Sequence, residues 1–484
     1  MSARDRAVGA LLGLACGDAV GTTLEFEPPG SFTPIDDMVG GGPFGLQPGQ
    51  WTDDTSMALC LAESIVDTGE LDLADQLRRY LLWRDDGYLS STGRLFDIGN
   101  TTSSQLERFR QTGEPVDPHP SQEAAANGSL MRLAAVPIRW HADPGAAADR
   151  SAESSRTTHA AARPVDACRV LGAMTSALIE GVAADDVLSP AFWRWGQLHP
   201  EVEAVARGSW REKEPPMIRG TGFCVDALEA ALWAVGGAPD FRQAVLRAAN
   251  LGDDADTTAA IAGQLAGARW GADSIPEAWR SKVAYGDRIE ALAEALFVAG
   301  GGAIDQTTWR HDDLIHAWWV EPGRLLAGEY PGNKRHQERA RHKVDLLVDA
   351  GVRTFVDLTE PGELRPYADV VAQAAAARGL DLRHVRFPIP DGHVVQDDVY
   401  DEVLDIITEA GERGVVYLHC WGGVGRTGTV VGAVLAAGGA RYEEILALLT
   451  DLRAGTRKAL RDCPENARQR AVIERRSDQH DVVA

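Results

Sequence analysis

The hydrophobic pattern of this chain changes character at Gly300-Gly301-Gly302, and that change limits the folds open to it. Before it, alanine-rich stretches such as SMALCLAESIVDTG and ALEAALWAVGG carry helical period between glycine and proline breaks, with no series of strands. After it, short apolar or alternating runs at 353–358, 382–388 and 415–419 are separated by helical-period segments such as YADVVAQAAAARG and DDVYDEVLDIITEAGERG. The pattern predicts an all-α domain over residues 1–302. An α/β domain with a mostly parallel sheet flanked by helices is expected over 303–484. A length of 484 residues exceeds what one core usually organises, and the glycines leading to Trp309 read as a flexible joint.

A formal net charge of -23 disfavours general binding to nucleic acid or to an acidic membrane. An anionic substrate therefore needs local help from a metal ion, an arginine or a ring of backbone N–H groups. Six scattered cysteines (Cys16, Cys60, Cys168, Cys224, Cys420, Cys463) include no Cys-x-x-Cys pair, which argues against a disulfide framework and a zinc site. The apolar N-terminus is interrupted by Gly9, Gly13, Gly17 and Asp18 and does not read as a membrane span. A reducing, cytoplasmic location is expected.

The segment HCWGGVGRTG, from His419 to Gly428, follows an apolar run and precedes Thr429-Val430-Val431. A strand ending at His419, a loop of Trp421, Gly422, Gly423, Val424 and Gly425, and a helix starting near Arg426 would gather N–H groups around one concavity. That is an anion cradle. The helix N-terminus and Arg426 favour a thiolate at Cys420, and Arg426 can grip two phosphate oxygens. A lone cysteine at a strand end would instead read as a small buried apolar residue.

His-Cys-x5-Arg-Thr in this setting resembles the signature of cysteine-dependent protein phosphatases of the dual-specificity branch. The likeness runs from about Trp309 and includes WVEPGRLLAGEYPG, RTFVDLTE and CPENARQRAVI. It implies Cys420 as nucleophile, Asp391 of FPIPDGHVV as general acid, and Thr427 as the hydroxyl that eases thiolate departure. Pro-Asp-Gly by itself is a turn signal. Trp421 departs from the small residue many relatives carry there and puts the substrate in question. No cofactor is expected in this half, and its partner is a phosphorylated protein or small molecule.

WTDDTSMAL places Thr52, Asp53 and Asp54 before one helix, and GDDADTTAAIAGQLAG places Asp254, Asp256 and Thr257 before another. Each alone also reads as a helix N-cap with first-turn acids. Together in an apolar interior they would repel, and hard divalent cations with oxygen ligands let them meet, so the sharper reading is a two-metal site of Mg²⁺ or Mn²⁺.

In order, GALLGLACGDAVGTTLEF, WTDDTSMAL, FDIGNTT, NGSLMRLAAVPI, SSRTTHAAA and GDDADTTAAIAGQLAGARWG resemble the ADP-ribosylglycohydrolases over about residues 1 to 300. The likeness implies an all-helical domain that holds two Mg²⁺ and releases ADP-ribose from a protein or small molecule. It assigns Thr52, Asp53, Asp54, Asp254, Asp256 and Thr257 to the metals and Glu25 to catalysis. It places Asn127, Gly128, Ser129, His159, Gly99, Asn100 and Thr101 along the ligand. The expectation is a bifunctional hydrolase. Two alternatives stay open: an ADP-ribose-binding or structural module without turnover, and a C-terminal domain that only reads phosphate.

Overall fold

The computed structural model describes residues 1–302, 308–333 and 336–478, so residues 303–307 of the expected joint lie outside the described residues. The chain divides into two compact units, Met1–Ile304 and Asp305–Ala484.

Among its described residues the first unit contains helices and two isolated bridges, Gly41 to Leu46 and Ala126 to Phe223, with no longer strand. Its site is built on α1 (Ala3–Gly21), α2 (Asp53–Thr68), α3 (Asn100–Thr112), α4 (Ala162–Ile179), α5 (Cys224–Gly236) and α6 (Ala255–Trp270). Helices α1 and α6 are apolar on nearly every side, as a helix must be to occupy the centre of a core. By length and composition alone α1 with the following turn could cross a membrane. Its most apolar window is 94% buried inside the unit, so the apolar residues serve the core.

The glycines that interrupt α1 have a packing role. A Cβ built on Gly13 would lie 2.3 Å from the Gly263 carbonyl oxygen, and one on Gly263 would lie 2.0 Å from that of Gly13. Gly9 and Gly267 oppose each other in the same way, while Gly17 meets Ala259 and Gly21 meets Ala255. A spacing of four residues keeps these positions on one helix face, so α1 and α6 run antiparallel with backbone against backbone. Each interior glycine costs about 1 kcal/mol relative to alanine. The close contact offsets that cost and brings the Asp18 end of α1 to the Asp256 end of α6.

The second unit is an α/β sandwich around β1 (Ala317–Glu321), β2 (Leu325–Gly328), β3 (Val352–Asp357), β4 (Arg383–Arg386) and β5 (Val415–His419). The sheet order is β1-β2-β5-β3-β4, antiparallel only between β1 and β2. Its helices are α7 (Gln337–Asp349), α8 (Ala368–Arg378), α9 (Asp397–Gly411), α10 (Gly425–Ala437), α11 (Tyr442–Asp451) and α12 (Ala467–Asp478). Period-two alternation sends neighbours to opposite faces. Trp318, Val356 and Leu418 pack with Val403, Val430 and Ile473, whereas Trp319, Phe355 and Tyr417 pack with Leu347 and Val371. Strands β1 and β2 were not anticipated as strands: each is at most five residues long, and the turn at Pro322-Gly323, with Gly323 at φ 73°, breaks their pattern.

Candidate active sites

In the first unit, two helix starts that are remote in sequence converge. Thr52 and Asp254 occupy the N-cap positions of α2 and α6, yet neither side chain makes a capping bond, so capping does not account for them. The Thr52 hydroxyl instead lies 2.9 Å from Asp18 Oδ1, 3.1 Å from Asp54 Oδ2 and 3.3 Å from Asp256 Oδ2. A hydroxyl has one proton to donate, so it cannot satisfy three carboxylates. Asp54 Oδ1 is buried with no partner.

Acidic oxygens of Asp18, Asp54 and Asp256 fall within 4.8 Å of one another, as do those of Glu25, Asp254 and Asp256. Asp18 is nevertheless saturated, because its carboxylate accepts from the N–H and hydroxyl of both Thr52 and Thr55 at 2.7–3.1 Å. It therefore anchors the start of α2 and has little capacity left for a cation. Burial pushes the carboxyls of Asp53, Asp54 and Asp256 well above the usual range, and their acidic neighbours push them further. Glu25 is pushed up to about 8 by burial and then by Asp254, and its Oε2 accepts from the Asp256 N–H at 3.2 Å. Carboxylates stacked this closely need protons or cations between them. The donor set, all carboxylate and hydroxyl oxygen, fits hard divalent ions.

Asn127 donates to Asp254 Oδ2 at 2.7 Å, and Thr257 donates its N–H to Asp256 Oδ1 at 2.6 Å. The Thr257 hydroxyl faces Met131 Sδ at 3.9 Å. His159 packs over Gly128, where a Cβ would lie 2.9 Å from its ring. Burial pushes its imidazole down to about 3, so it is neutral and supports the loop. The side chain of Ser129 turns into the helical core, accepting from Ser155 at 2.9 Å, and is not available to a ligand. Gly99 and Asn100 are exposed at the start of α3. Thr101 lines a cleft of about 460 Å³ with Ala126, Gly222 and Phe223. Gly222 on its wall neighbours the acids, since a Cβ there would make ordinary contact with Asp254 Oδ2 at 3.5 Å.

Two acids had no assigned role in the sequence reading. Asp18 sits within an otherwise apolar, glycine-rich helix, which was the available signal. Asp97, in FDIGNTT, adopts a left-handed φ of 56° and is pushed up to about 6 by burial and then by Asp254. A non-glycine residue in that region marks a constrained position.

In the second unit, β5 ends at His419, and the loop delivers Cys420 to the start of α10. Cys420 Sγ accepts from the Gly423 N–H at 3.3 Å. Gly423 has φ 69° and its missing Cβ would lie 2.4 Å from the Gly328 backbone, so the loop closes over β2 only with glycine there. The Gly422 position faces open space. Val424 is buried at the N-cap of α10, and Gly425 begins that helix.

Arg426 is 2% exposed. Its two Nη atoms meet Glu363 at 2.8 and 2.6 Å, and Asp391 Oδ1 lies 3.1 Å from Nη2. Asp391, in the turn 389–393, is thereby held over the loop although largely exposed. Glu363 carried no sequence signal. Thr427 is buried with its hydroxyl unpartnered. His419 shares a 2.5 Å hydrogen bond with Tyr367, and burial pushes its imidazole down to about 4. Trp421 is 54% exposed beside the nucleophile.

Residues 1–305 match the ADP-ribosylglycohydrolase family, and residues 316–477 match the Swiss Army Knife protein DSP-PTPase phosphatase domain. The chain belongs to the ADP-ribosylglycohydrolase family and continues into a phosphatase domain, which makes it a hydrolase with two catalytic folds. Over 293 residues it is 44% identical to the ADP-ribosylarginine hydrolase Tri1 of Serratia proteamaculans (strain 568), covering 60% of this chain and 79% of that protein. A solved structure described as an ADP-ribosylglycohydrolase-related protein complex superposes with a TM-score of 0.55 at 38% identity, covering 62% of this chain and 99% of that chain. Over 123 residues the chain is 28% identical to the dual specificity protein phosphatase CDC14B of Mus musculus, covering 24% of this chain and 23% of that protein.

Proposed function

We propose that the first unit removes ADP-ribose from arginine side chains with two Mg²⁺ ions, Mn²⁺ substituting, and that the second hydrolyses phosphomonoesters through a phosphocysteine. The carrying observation is the convergence of Asp54 and Asp256 on one threonine hydroxyl, with Asp54 Oδ1 left unpartnered. The likeness to an ADP-ribosylarginine hydrolase supports arginine as the modified residue.

Thr52, Asp53, Asp54, Asp254, Asp256 and Thr257 would hold the ions, whose chemistry is to polarise ribose hydroxyls and acidify water. Asp18 fixes the start of α2 and Asn127 orients Asp254. With cations neutralising its acidic neighbours, Glu25 would be ionised and take the proton of the attacking water as the bond from the anomeric carbon to the guanidinium nitrogen breaks. The bonding pair stays on that nitrogen, and the arginine leaves as neutral guanidine. The cleft at Thr101 and Gly222 receives the ADP-ribose.

In the second unit, Cys420 Sγ attacks phosphorus, the P–O bond to the leaving group breaks, and Asp391 protonates that oxygen. Water then attacks the phosphocysteine, giving its proton to Asp391 and releasing the thiolate, to which Thr427 donates. Arg426, aligned by Glu363, binds the equatorial oxygens. The six unpaired thiols support a reducing, cytoplasmic location.

The deciding experiment follows release of ADP-ribose from ADP-ribosylated arginine by the full chain, with Mg²⁺, with Mn²⁺ and with a chelator. Release that persists undiminished in the chelator would remove the metal reading; binding without release would leave only a recognition module.

A further inference from the structure

Beside the Cys420 loop lies a second cleft of about 460 Å³, with Glu329, Tyr330, Arg339, Lys343, Leu364 and Trp421 among its walls. It abuts the catalytic machinery on two sides, because Trp421 follows Cys420 and Leu364 follows the Glu363 that grips Arg426. Its floor is tied to the loop backbone. The Tyr330 N–H donates to the Trp421 carbonyl at 3.1 Å, and Lys458 Nζ donates to the Gly422 carbonyl at 2.8 Å.

The charge around this cleft runs against the charge of the chain. In a protein with net charge -23, Glu329 gathers Lys458 at 2.6 Å, Arg457 at 2.5 Å and Lys343 at 3.5 Å. Burial opposes ionisation of Glu329, yet these cations hold its carboxyl below the usual range. Arg339, on the exposed side of α7, has no ion-pair partner among the described residues. Three cations thus share one carboxylate, and Arg339 adds a fourth on the cleft wall. Such an excess next to a phosphate loop is an anion site, and the exposed indole of Trp421 offers a flat stacking surface at its edge.

We infer that this cleft is a second anion subsite of the phosphatase unit, which selects small phosphomonoesters carrying a flat ring and a second phosphate. The inference rests on the phosphatase reading of Cys420 and deepens it. Lys343 and Arg339 bind the second phosphate, Trp421 stacks on the ring, and the scissile phosphate enters the Cys420 loop. The volume suits a nucleotide-sized ligand. An acidic peptide extending beyond the cleft would meet the negative field of the rest of the chain.

The test measures phosphate release by the full chain from p-nitrophenyl phosphate, adenosine 5′-phosphate, 3′-phosphoadenosine 5′-phosphate and an acidic phosphotyrosyl peptide. The bisphosphate is expected to be preferred over p-nitrophenyl phosphate, and K343Q/R339Q should lower that kcat/KM ratio about a hundredfold, about tenfold for each charge-assisted hydrogen bond lost. R413Q, the same type of charge change on an exposed residue outside the cleft, should leave the ratio intact. An unchanged ratio in K343Q/R339Q, or a larger loss on the acidic peptide, overturns the inference. Calorimetry of 3′-phosphoadenosine 5′-phosphate on Cys420→Ser, with and without K343Q/R339Q, separates the two readings. Weaker binding in the triple variant supports the subsite even if wild-type turnover fails, whereas equal binding overturns it.

Discussion

Thr52 Oγ1 lies 3.3 Å from Asp256 Oδ2 across 204 residues of sequence. With Asp18 and Asp54 on the same hydroxyl, the cluster holds more acceptors than protons. Mg²⁺ or Mn²⁺ at a hundredfold excess over Kd should therefore stabilise the first unit by about 2.7 kcal/mol for each ion bound. Asp256→Asn should abolish that gain. Thermal melts at fixed ion concentration read the effect without any substrate, and the absence of a shift for the wild-type chain would count against bound cations.

Glu25 bonds the Asp256 N–H from the end of the short turn, Thr22–Leu24, that follows α1. As the proton acceptor in the reaction, Glu25→Gln should lower kcat for ADP-ribose release by about 10²–10⁴-fold. The thermal shift given by Mg²⁺ should persist. A variant that keeps wild-type kcat removes the catalytic role.

Cys420→Ser should eliminate phosphate release and leave ADP-ribose release unaltered. Alkylation of Cys420, followed by mass spectrometry, should be slowed by phosphate or vanadate. Asp391→Asn should lower kcat by about 10²–10⁴-fold on substrates with poor leaving groups and much less on p-nitrophenyl phosphate, whose leaving oxygen needs little protonation. Equal losses on both would place Asp391 in binding instead.

His419 has its imidazole pushed down to about 4 by burial, from an ordinary value near 6.5. The unfolded chain binds that proton first as pH falls, so the contribution is intact above about pH 6.5 and is lost on acidification toward 4. From pH 7 to pH 5 the loss is about 2 kcal/mol. His159, pushed down to about 3, acts with the same sign in the first unit. Urea titrations of the full chain at the two pH values should show the decline in the transition of the second unit, and His419→Gln should flatten it. In the first unit the raised carboxyls of Glu25 and Asp97 act with the opposite sign to His159.

Local chemistry made part of this legible in the sequence. The Gly-rich segment after β5 and the paired Thr-Asp segments announce themselves through residue type and spacing alone. The roles of Asp18 and Glu363 arise only from contacts 34 and 63 residues away, and no local pattern distinguishes them from a stray acid and a loop charge. Ser129 shows the reverse: its loop offers polar side chains of the kind that meet a ligand, yet a neighbouring helix claims the hydroxyl. Strands β1 and β2 escaped notice because a four- or five-residue run carries too little period to separate from a loop.

The backbone seam between α1 and α6 also sets how errors travel. No loop adjusts the spacing of the carboxylates; the thickness of two peptide chains does. Gly9 stands twelve residues from Gly21, about 18 Å along the helix axis at 1.5 Å per residue. A single methyl added there would act as a wedge at the far end of a lever. Inactivating substitutions will thus turn up well outside any sphere drawn around bound ADP-ribose, in positions where a survey of ligand contacts would find nothing to protect.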